Sequence, residues 1–236
     1  MTQTTLITGR SGKKVDCGPV LMIESWTTPQ EMSNQMSMFS RSKSAPATTE
    51  FEQATQAVQD ISGDYTLDVS HTRLGFSARH AMVTTVRGQF QDYTGHAHVD
   101  TANPANSKVE VRIQAGSIDT GNADRNGHLV SADFFDVGTF PEMTFVSTQV
   151  ERADETTWVI TGDLTIKGVT KPVTVEFEQT GSARDPFGNL RVGFEGSTAI
   201  NRKDWDLTWN AALETGGVMV SDKVKLDFDV SAIQSA

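Results

Sequence analysis

Alternation of apolar and polar residues dominates the chain from about residue 63 onward. Three segments alternate without a break, namely residues 109–114, 173–178 and 224–230. A period of two places every second side chain on the same face of a strand, so each segment predicts a strand with one apolar and one polar face. Weaker alternation predicts further strands at residues 65–69, 74–82, 86–99, 143–150, 158–166 and 190–200.

Turn signals separate these predicted strands. Residues 102–107 and 185–189 combine Pro with Asn, Asp or Gly and predict two hairpin connections. Residues 122–135 break the alternation, and Asn122 is suited to cap a short helix containing Arg125 and His128. A mostly antiparallel sheet of this length closes into a barrel because closure removes exposed edges. About eight strands leave an interior that is filled by side chains or holds one small ligand.

The first part of the chain has no sustained apolar period. Residues 39–49 have the small, polar composition of a linker, and only residues 50–61 offer a weak helical pattern. We therefore predict a mobile N-terminal extension over residues 1–61, followed by one domain over residues 62–236. Met36 and Met38 raise the hypothesis of a later natural start, which the intact mass of natively expressed protein would test.

The net charge and the length of the apolar runs disfavour two kinds of partner, namely nucleic acid and membranes. The 236 residues include 30 acidic and 20 basic side chains, a net charge of −10, which disfavours binding to nucleic acid or to an anionic membrane. The longest apolar run, residues 20–23, is shorter than a transmembrane helix or a signal-peptide core. The resulting expectation is a cytoplasmic protein without stable membrane insertion. Cys17 is the single cysteine and cannot form an intrachain disulfide.

Several ordered blocks of the chain are similar to a known family. They are residues 68–76 (DVSHTRLGF), 79–80, 115–120 (AGSIDT), 125–129 (RNGHL), 133–135, 162–173 (GDLTIKGVTKPV) and 193–194, with Pro141 and Phe145 between them. This set resembles the YceI-like family from about residue 63 to the C-terminus. The resemblance implies an extended, lipocalin-like antiparallel β-barrel with a short helix, whose apolar lumen binds a polyisoprenoid or a similar long-chain amphiphile. One departure is Asp206, where the family often has Gly after the aromatic residue.

The resemblance favours a lumen lined by aromatic side chains over a solid core. The residues available to line it are Phe76, Phe90, Phe145, Trp158, Phe177, Phe194, Trp205, Trp209 and Phe228. Polar residues that would orient a phosphate or quinone headgroup are His71, Arg79, His80, Arg125 and His128. The alternative for Arg125 and His128 is that they fasten the short helix to the barrel, and the alternative for His71 is local hydrogen bonding within its turn.

Two patterns resemble metal sites without supplying a full ligand set. His96 and His98 project from one face of a strand, but the sequence places no third ligand beside them. Residues 122–133 have the spacing of a calcium-binding EF-hand loop, yet Asn122 and Asp133 stand where Asp and Glu are expected, and a strand precedes the loop. We therefore expect no metal and no other cofactor.

Signals for catalysis are few. The sequence contains no nucleophile elbow, no phosphate-binding loop and no His-Glu-x-x-His motif. The prediction is a noncatalytic carrier or store for a polyisoprenoid-type lipid. Two alternatives stay open: an enzyme that acts on an isoprenoid through His80 or His128, and a stress-related interaction protein with a filled barrel. A homodimer formed through the short helix also stays open.

Overall fold

The computed structural model describes residues 60–214 and 216–235 of the chain. Among them are eleven strands, one α-helix and three short 3-10 helices. The strands are β1 (Gly63–Leu67), β2 (Arg73–His80), β3 (Thr84–Phe90), β4 (Tyr93–Val99), β5 (Lys108–Gln114), β6 (Ile118–Asp119), β7 (Glu142–Arg152), β8 (Thr157–Ile166), β9 (Val169–Arg184), β10 (Leu190–Asn201) and β11 (Val220–Gln234). The helix is α1 (Ala123–Val130), and the 3-10 helices are Pro104–Asn106, Ala115–Ser117 and Arg202–Trp205. No helix in this part of the chain is long and apolar enough to cross a membrane.

Eight of the strands form a closed antiparallel ring. Their order is β1-β4-β5-β7-β8-β9-β10-β11, and β11 pairs back to β1. One edge of β11 is shared, because Ala232–Gln234 pair with β1 while residues 220–229 pair with β2. Strands β2, β3 and β6 extend the sheet from that edge. The predicted all-β class and the antiparallel barrel with a short helix are confirmed.

The sequence predicted one strand over residues 86–99, and this prediction is wrong in detail. The segment is two strands, β3 and β4, which diverge at Gln91 and Asp92. The even-numbered Val86, Gly88 and Phe90 share a face in β3, whereas Tyr93 and its odd-numbered successors face inward in β4. The inward positions therefore change from even to odd numbers where β3 ends and β4 begins. The two-residue strand β6 was not predicted.

The local signals behind the helix and the hairpins are confirmed. The Asn122 side chain accepts a hydrogen bond from the backbone N–H of Arg125 at 2.9 Å and caps α1. Residues 185–189 connect β9 to β10, and the Asp185 carbonyl accepts a bond from the Gly188 N–H at 2.9 Å. Of the predicted extension, residues 1–59 lie outside the described residues. Ile61 is 1% exposed and packs in the core.

Two apolar clusters lie inside the barrel. Core cluster 1 has as buried members Ala115, Met143, Leu164, Ile166, Val173, Val175, Trp205 and Leu207. Core cluster 2 has as buried members Ile61, Tyr65, Val150, Trp158, Leu190, Val192 and Ala232. Because β8, β9 and β10 each contribute to both clusters, the clusters occupy opposite ends of the same strands. Phe177 packs against both and lies between them.

Arg202 holds the chain segment that follows β10. Arg202 is 3% exposed, and its guanidinium donates hydrogen bonds to the carbonyls of Leu207, Trp209 and Ser221. Burial lowers the pKa of this guanidinium, and the carboxylate of Asp222 opposes that effect. The neighbouring Asp206 has a φ of 56°, in the left-handed region that favours glycine. The backbone therefore turns here as a glycine would, although the residue is Asp.

Replacing Arg202 with Ala should lower the free energy of unfolding by about 3–5 kcal/mol, because several buried carbonyls lose their donor. Lys203→Ala is the matched control, since Lys203 binds the same Asp222 at 2.9 Å from an exposed position. It should cost less than about 1 kcal/mol. Urea unfolding followed by Trp fluorescence measures both, and equal losses would contradict this role for Arg202.

Candidate functional site

The inner wall of the barrel carries continuous rows of apolar residues. Residues opposite each other on neighbouring strands share a face, so the strand register defines each row. One row crosses seven strands from β8 to β6 through Trp158, Phe177, Gly196, Phe228, Leu74, Phe90 and Ile118. A second row runs from β10 to β3 through Thr198, Leu226, Phe76 and Gly88. Together they form an aromatic and aliphatic surface between the two core clusters.

The nine aromatic residues predicted for the lumen fall into three groups. Trp158 and Trp205 are only 3% and 2% exposed and pack within core clusters 2 and 1. Trp209 contacts the ring of His128 on α1 at 4.5 Å and the ring of Phe134 at 5.4 Å. The six phenylalanines are on the inner wall and keep part of their surface accessible: Phe76, Phe90, Phe145, Phe177, Phe194 and Phe228.

Partial exposure of these rings has a direct structural meaning. Protein interiors are packed as densely as organic crystals, so a ring at the middle of a closely packed barrel would have no accessible surface. Phe177 and Phe228 lie near the middle of long strands and meet at 5.7 Å between ring centroids, yet both stay partly exposed. Phe177 and Phe228 are therefore less tightly enclosed than the buried members of the two core clusters.

Glycines on the inner wall let the rings lie flat. A Cβ at Gly88 would lie 2.4 Å from Cζ of Phe76, and a Cβ at Gly196 would lie 2.5 Å from Cδ1 of Phe177. The same relation joins Gly162 to Phe145, where the distance would be 2.5 Å. Each ring occupies the room that a side chain would fill on the neighbouring strand. Aromatic surface thus coats the wall while less of it projects into the interior.

The predicted headgroup residues on α1 have partners within the protein. Arg125 donates from Nε to the Thr120 hydroxyl and from Nη2 to the Thr120 carbonyl, both at 2.8 Å. His128 Nε2 lies 3.0 Å from Oδ2 of Asp133. These contacts correspond to the alternative in which both residues fasten the helix to neighbouring segments.

His71 lies in the turn between β1 and β2, beside a buried acidic group. Its Nδ1 is 2.7 Å from Oδ2 of Asp68, and its own side chain is 67% exposed. Asp68 also accepts hydrogen bonds from Ser70 and Arg191, which together hold the pKa of its carboxyl well below 3.8. Arg191 in turn binds Asp185, whose pKa is lowered to about 2, mainly by the Asn189 side chain. His71 is thus one exposed member of a structural ion-pair network.

Arg79 and His80 lie at the last two positions of β2. The Arg79 guanidinium donates to the Thr85 hydroxyl at 3.1 Å and to the Met82 carbonyl at 3.3 Å. His80 follows Phe76 and Ala78 on the inner-wall register and is exposed where the strand ends. The five predicted headgroup residues therefore lie on three elements: the β1–β2 turn, the end of β2, and α1.

The two metal-like patterns are resolved by their local structure. His96 and His98 point outward from β4 and face Thr66 and Asp64 across the sheet, with His98 Nδ1 at 2.8 Å from the Asp64 carboxylate. Residues 123–130 of the calcium-like segment are α-helix. Within residues 60–214 and 216–235, no group of three or more His, Cys, Asp or Glu side chains is placed to hold a metal ion.

Comparison with known proteins agrees with this architecture. The model of a family described as a YceI-like domain matches residues 65–232. The chain belongs to the YceI-like family. Its YceI-like domain is 41% identical over 152 residues to a UPF0312 protein of Ectopseudomonas mendocina (strain ymp), which covers 64% of this chain and 80% of that protein.

Solved structures of similar fold include Burkholderia cenocepacia BcnA, with 25% identity and a TM-score of 0.62 over 70% of this chain and 98% of that one. Another is a polyisoprenoid binding domain from Saccharophagus degradans, with 18% identity and a TM-score of 0.55 over 72% and 98% of the two chains. The latter likeness supports the fold alone. The resemblance inferred from the sequence blocks is confirmed.

The glycines of the inner wall are the site residues that sequence reasoning missed. In β10 the inward positions are Leu190, Val192, Phe194, Gly196, Thr198 and Ile200, so a glycine takes the place of an apolar residue within the alternation. A glycine at an inward position opposite a phenylalanine was a visible signal. It could be interpreted only once the strand pairing was known.

The ion-pair network around Asp68 predicts a dependence of stability on pH. A carboxyl whose pKa is lowered by folding contributes stability above its ordinary value of about 4, and that contribution is lost as pH falls through the folded value. Asp68→Asn should lower the free energy of unfolding at neutral pH by about 1–2 kcal/mol and flatten its decline below about pH 4. Denaturant unfolding across this pH range measures both effects.

His71→Ala serves as the comparison, because it removes only an exposed partner of Asp68. Its stability at neutral pH should change by less than about 1 kcal/mol. If Asp68→Asn retains the wild-type pH profile, the network does not stabilise the fold in the way described.

Proposed function

We propose that this chain binds the hydrocarbon part of a polyisoprenoid or a similar long-chain amphiphile in the interior of its barrel, without catalysis. The observation that carries the proposal is the set of phenylalanines on the inner face of the sheet, none of which is fully buried. The family and the polyisoprenoid binding domain of similar fold support the same class of ligand.

Apolar contact alone is sufficient for useful affinity. Burial of a hydrocarbon contributes about 0.8 kcal/mol per methylene, so about ten methylenes supply about 8 kcal/mol, equivalent to micromolar binding before ordering costs. A dedicated polar pocket for the headgroup is therefore not required. His71, Arg79 and Arg125 each have hydrogen-bond partners within the protein, which agrees with this.

Sequestration without chemistry is favoured over catalysis by the state of the histidines. His128 is bound to Asp133 and stacks edge-on against Phe134 and Trp209, so its ring serves the packing of α1. His80 lies at the exposed end of β2. The His128–Asp133 pair thus has a structural use in holding α1.

The proposal is tested by native mass spectrometry of the purified protein, followed by organic extraction and lipid analysis. We expect a stoichiometric polyprenyl or quinone-like species, retained in the gas phase and released on unfolding. Protein that carries no lipid, and that stays bare after incubation with prenyl lipids, would refute the proposal and favour a filled barrel. Turnover of a bound isoprenoid that disappears on replacing His80 or His128 would instead establish an enzyme.

A second prediction tests whether the bore of the lumen depends on the glycines. Gly88→Ala places a methyl group against the rings of Phe76 and the methyl of Thr120, and the contacts at its position are side chains. The Phe76 ring must then turn into the interior. We expect affinity for a long prenyl chain to fall about tenfold, because the displaced ring obstructs the chain at a cost of about 1–2 kcal/mol.

The added substitution Phe76→Ala should restore most of that affinity by clearing the ring from the bore. Gly138→Ala is the matched control, since a Cβ at Gly138 would meet nothing within 4 Å. Fluorescence titration with one prenyl probe compares all four proteins. If Gly88→Ala binds as tightly as wild type, the ring does not border the ligand.

A further inference from the structure

The hairpin that connects β2 to β3 exposes apolar side chains to solvent. Met82 and Val83 are 61% and 77% exposed at its turn. Val218, which is 40% exposed, lies on the neighbouring segment, where the Met219 carbonyl accepts a hydrogen bond from the Ala81 N–H at 2.7 Å. We call these residues, 81–83 with Val218, the apolar tip.

The backbone of this turn has a conformation that is unfavourable for Ala and Met. Ala81 and Met82 have φ values of 50° and 59°, and the Val83 N–H donates to the His80 carbonyl at 3.1 Å. His80 pairs with Thr84, so the connection has three residues, and the first two take positive φ values that Asn and Gly adopt most readily. An Ala-Met pair exposes apolar surface at a position where polar, permissive residues are the stable choice.

Four cationic side chains lie on the outer face beside the apolar tip. They are Arg79 on β2, Arg87 on β3, and Lys223 and Lys225 on β11, and we call them the cationic strip. Lys225, Ser77 and Arg87 stand in one row across three strands, on the face opposite Phe76 and Leu226. None of the four forms an ion pair with a residue that the structure describes.

We propose that the apolar tip and the cationic strip form a docking surface for an anionic phospholipid membrane. The tip would enter the interfacial layer and the strip would meet lipid phosphates. At a rise of about 3.3 Å per residue, the row of Ser77 lies about 10 Å from the turn, which matches the depth to which interfacial elements enter a membrane. A net charge of −10 argues against anionic membranes for the chain as a whole. The cationic strip is a local concentration of positive side chains, and Asp227, the next outward residue of β11, is paired with Arg73.

The position of the tip suits a protein that takes its ligand from a bilayer. Phe76 and Ala78 lie on the inner wall of β2, within four residues of the turn. A lipid that leaves the membrane at the tip would therefore meet the aromatic wall directly. This inference extends the proposed lipid-binding role, but docking itself requires no isoprenoid and can be tested alone.

The test is flotation of the full chain with vesicles of phosphatidylcholine, either pure or mixed with phosphatidylglycerol, without any prenyl lipid. Wild type should float with the anionic vesicles, less so as salt is raised. Met82→Ser combined with Val83→Ser should reduce the bound fraction about tenfold, through loss of buried apolar area. Arg87→Glu combined with Lys225→Glu should abolish the preference for anionic vesicles.

Two control variants lie at the other end of the barrel. Phe187→Ser removes an 89% exposed ring from the β9–β10 hairpin. Lys108→Glu combined with Arg184→Glu makes the same change of net charge as the double charge reversal, at exposed positions of β5 and β9. Both controls should float as wild type does.

The outcomes separate docking from ligand binding. Tip variants that lose vesicle binding but retain a prenyl probe added in detergent would support the inference. Wild type that does not float, or tip variants that float unchanged, would overturn it. A wild-type dimer by light scattering that becomes monomeric in Met82→Ser/Val83→Ser would assign the tip to self-association and overturn it as well. Docking without any lumen ligand would refute the proposed function alone.

Discussion

The division of one edge of β11 between two strands determines the form of the barrel. Three residue pairs join β11 to β1 and close the ring, while the rest of that edge pairs with β2. An edge left unpaired would template association with another chain. Because β2 covers it, the sheet continues past the ring through β3 and β6. The pairing of β11 with β2 therefore places the inward residues of β2 and β3 in the same sheet as those of the ring.

The interior is shaped by the absence of side chains as much as by their presence. Phe177 and Phe228 lie on either side of Gly196, and their rings occupy the space that a side chain at Gly196 would fill. Larger residues at such positions would give a more tightly filled barrel with more apolar burial. The observed arrangement forgoes that burial and keeps ring faces accessible. A lumen can bind an apolar ligand only if some apolar surface of its wall is not already buried by the protein's own side chains.

Much of the fold could be predicted from the sequence, because each strand has one apolar and one polar face. Alternation located the main strands, Asn122 located the helix, and the family blocks located the barrel. The division at Gln91 was missed because both halves alternate and only the phase changes. The site was harder. The positions of His71 and Arg125 depend on contacts with Asp68 and Thr120, which come from register and turn geometry, not from a periodic pattern. Surface charge likewise depends on which residues adjoin, so total composition did not indicate the cationic strip.

The turn between β1 and β2 has a further consequence for which changes of length the chain tolerates. Leu67 pairs with Ala232, and Arg73 pairs with Asp229. The chain therefore advances six residues from β1 to β2 while the partner strand β11 advances three. The odd difference moves the inward positions from odd numbers in β1 to even numbers in β2. If one residue is inserted into or deleted from this turn, the loop must change its conformation for β2 to keep its register. If the loop does not change, Phe76 turns outward and Ser77 turns inward. Related chains should therefore keep the length of this turn.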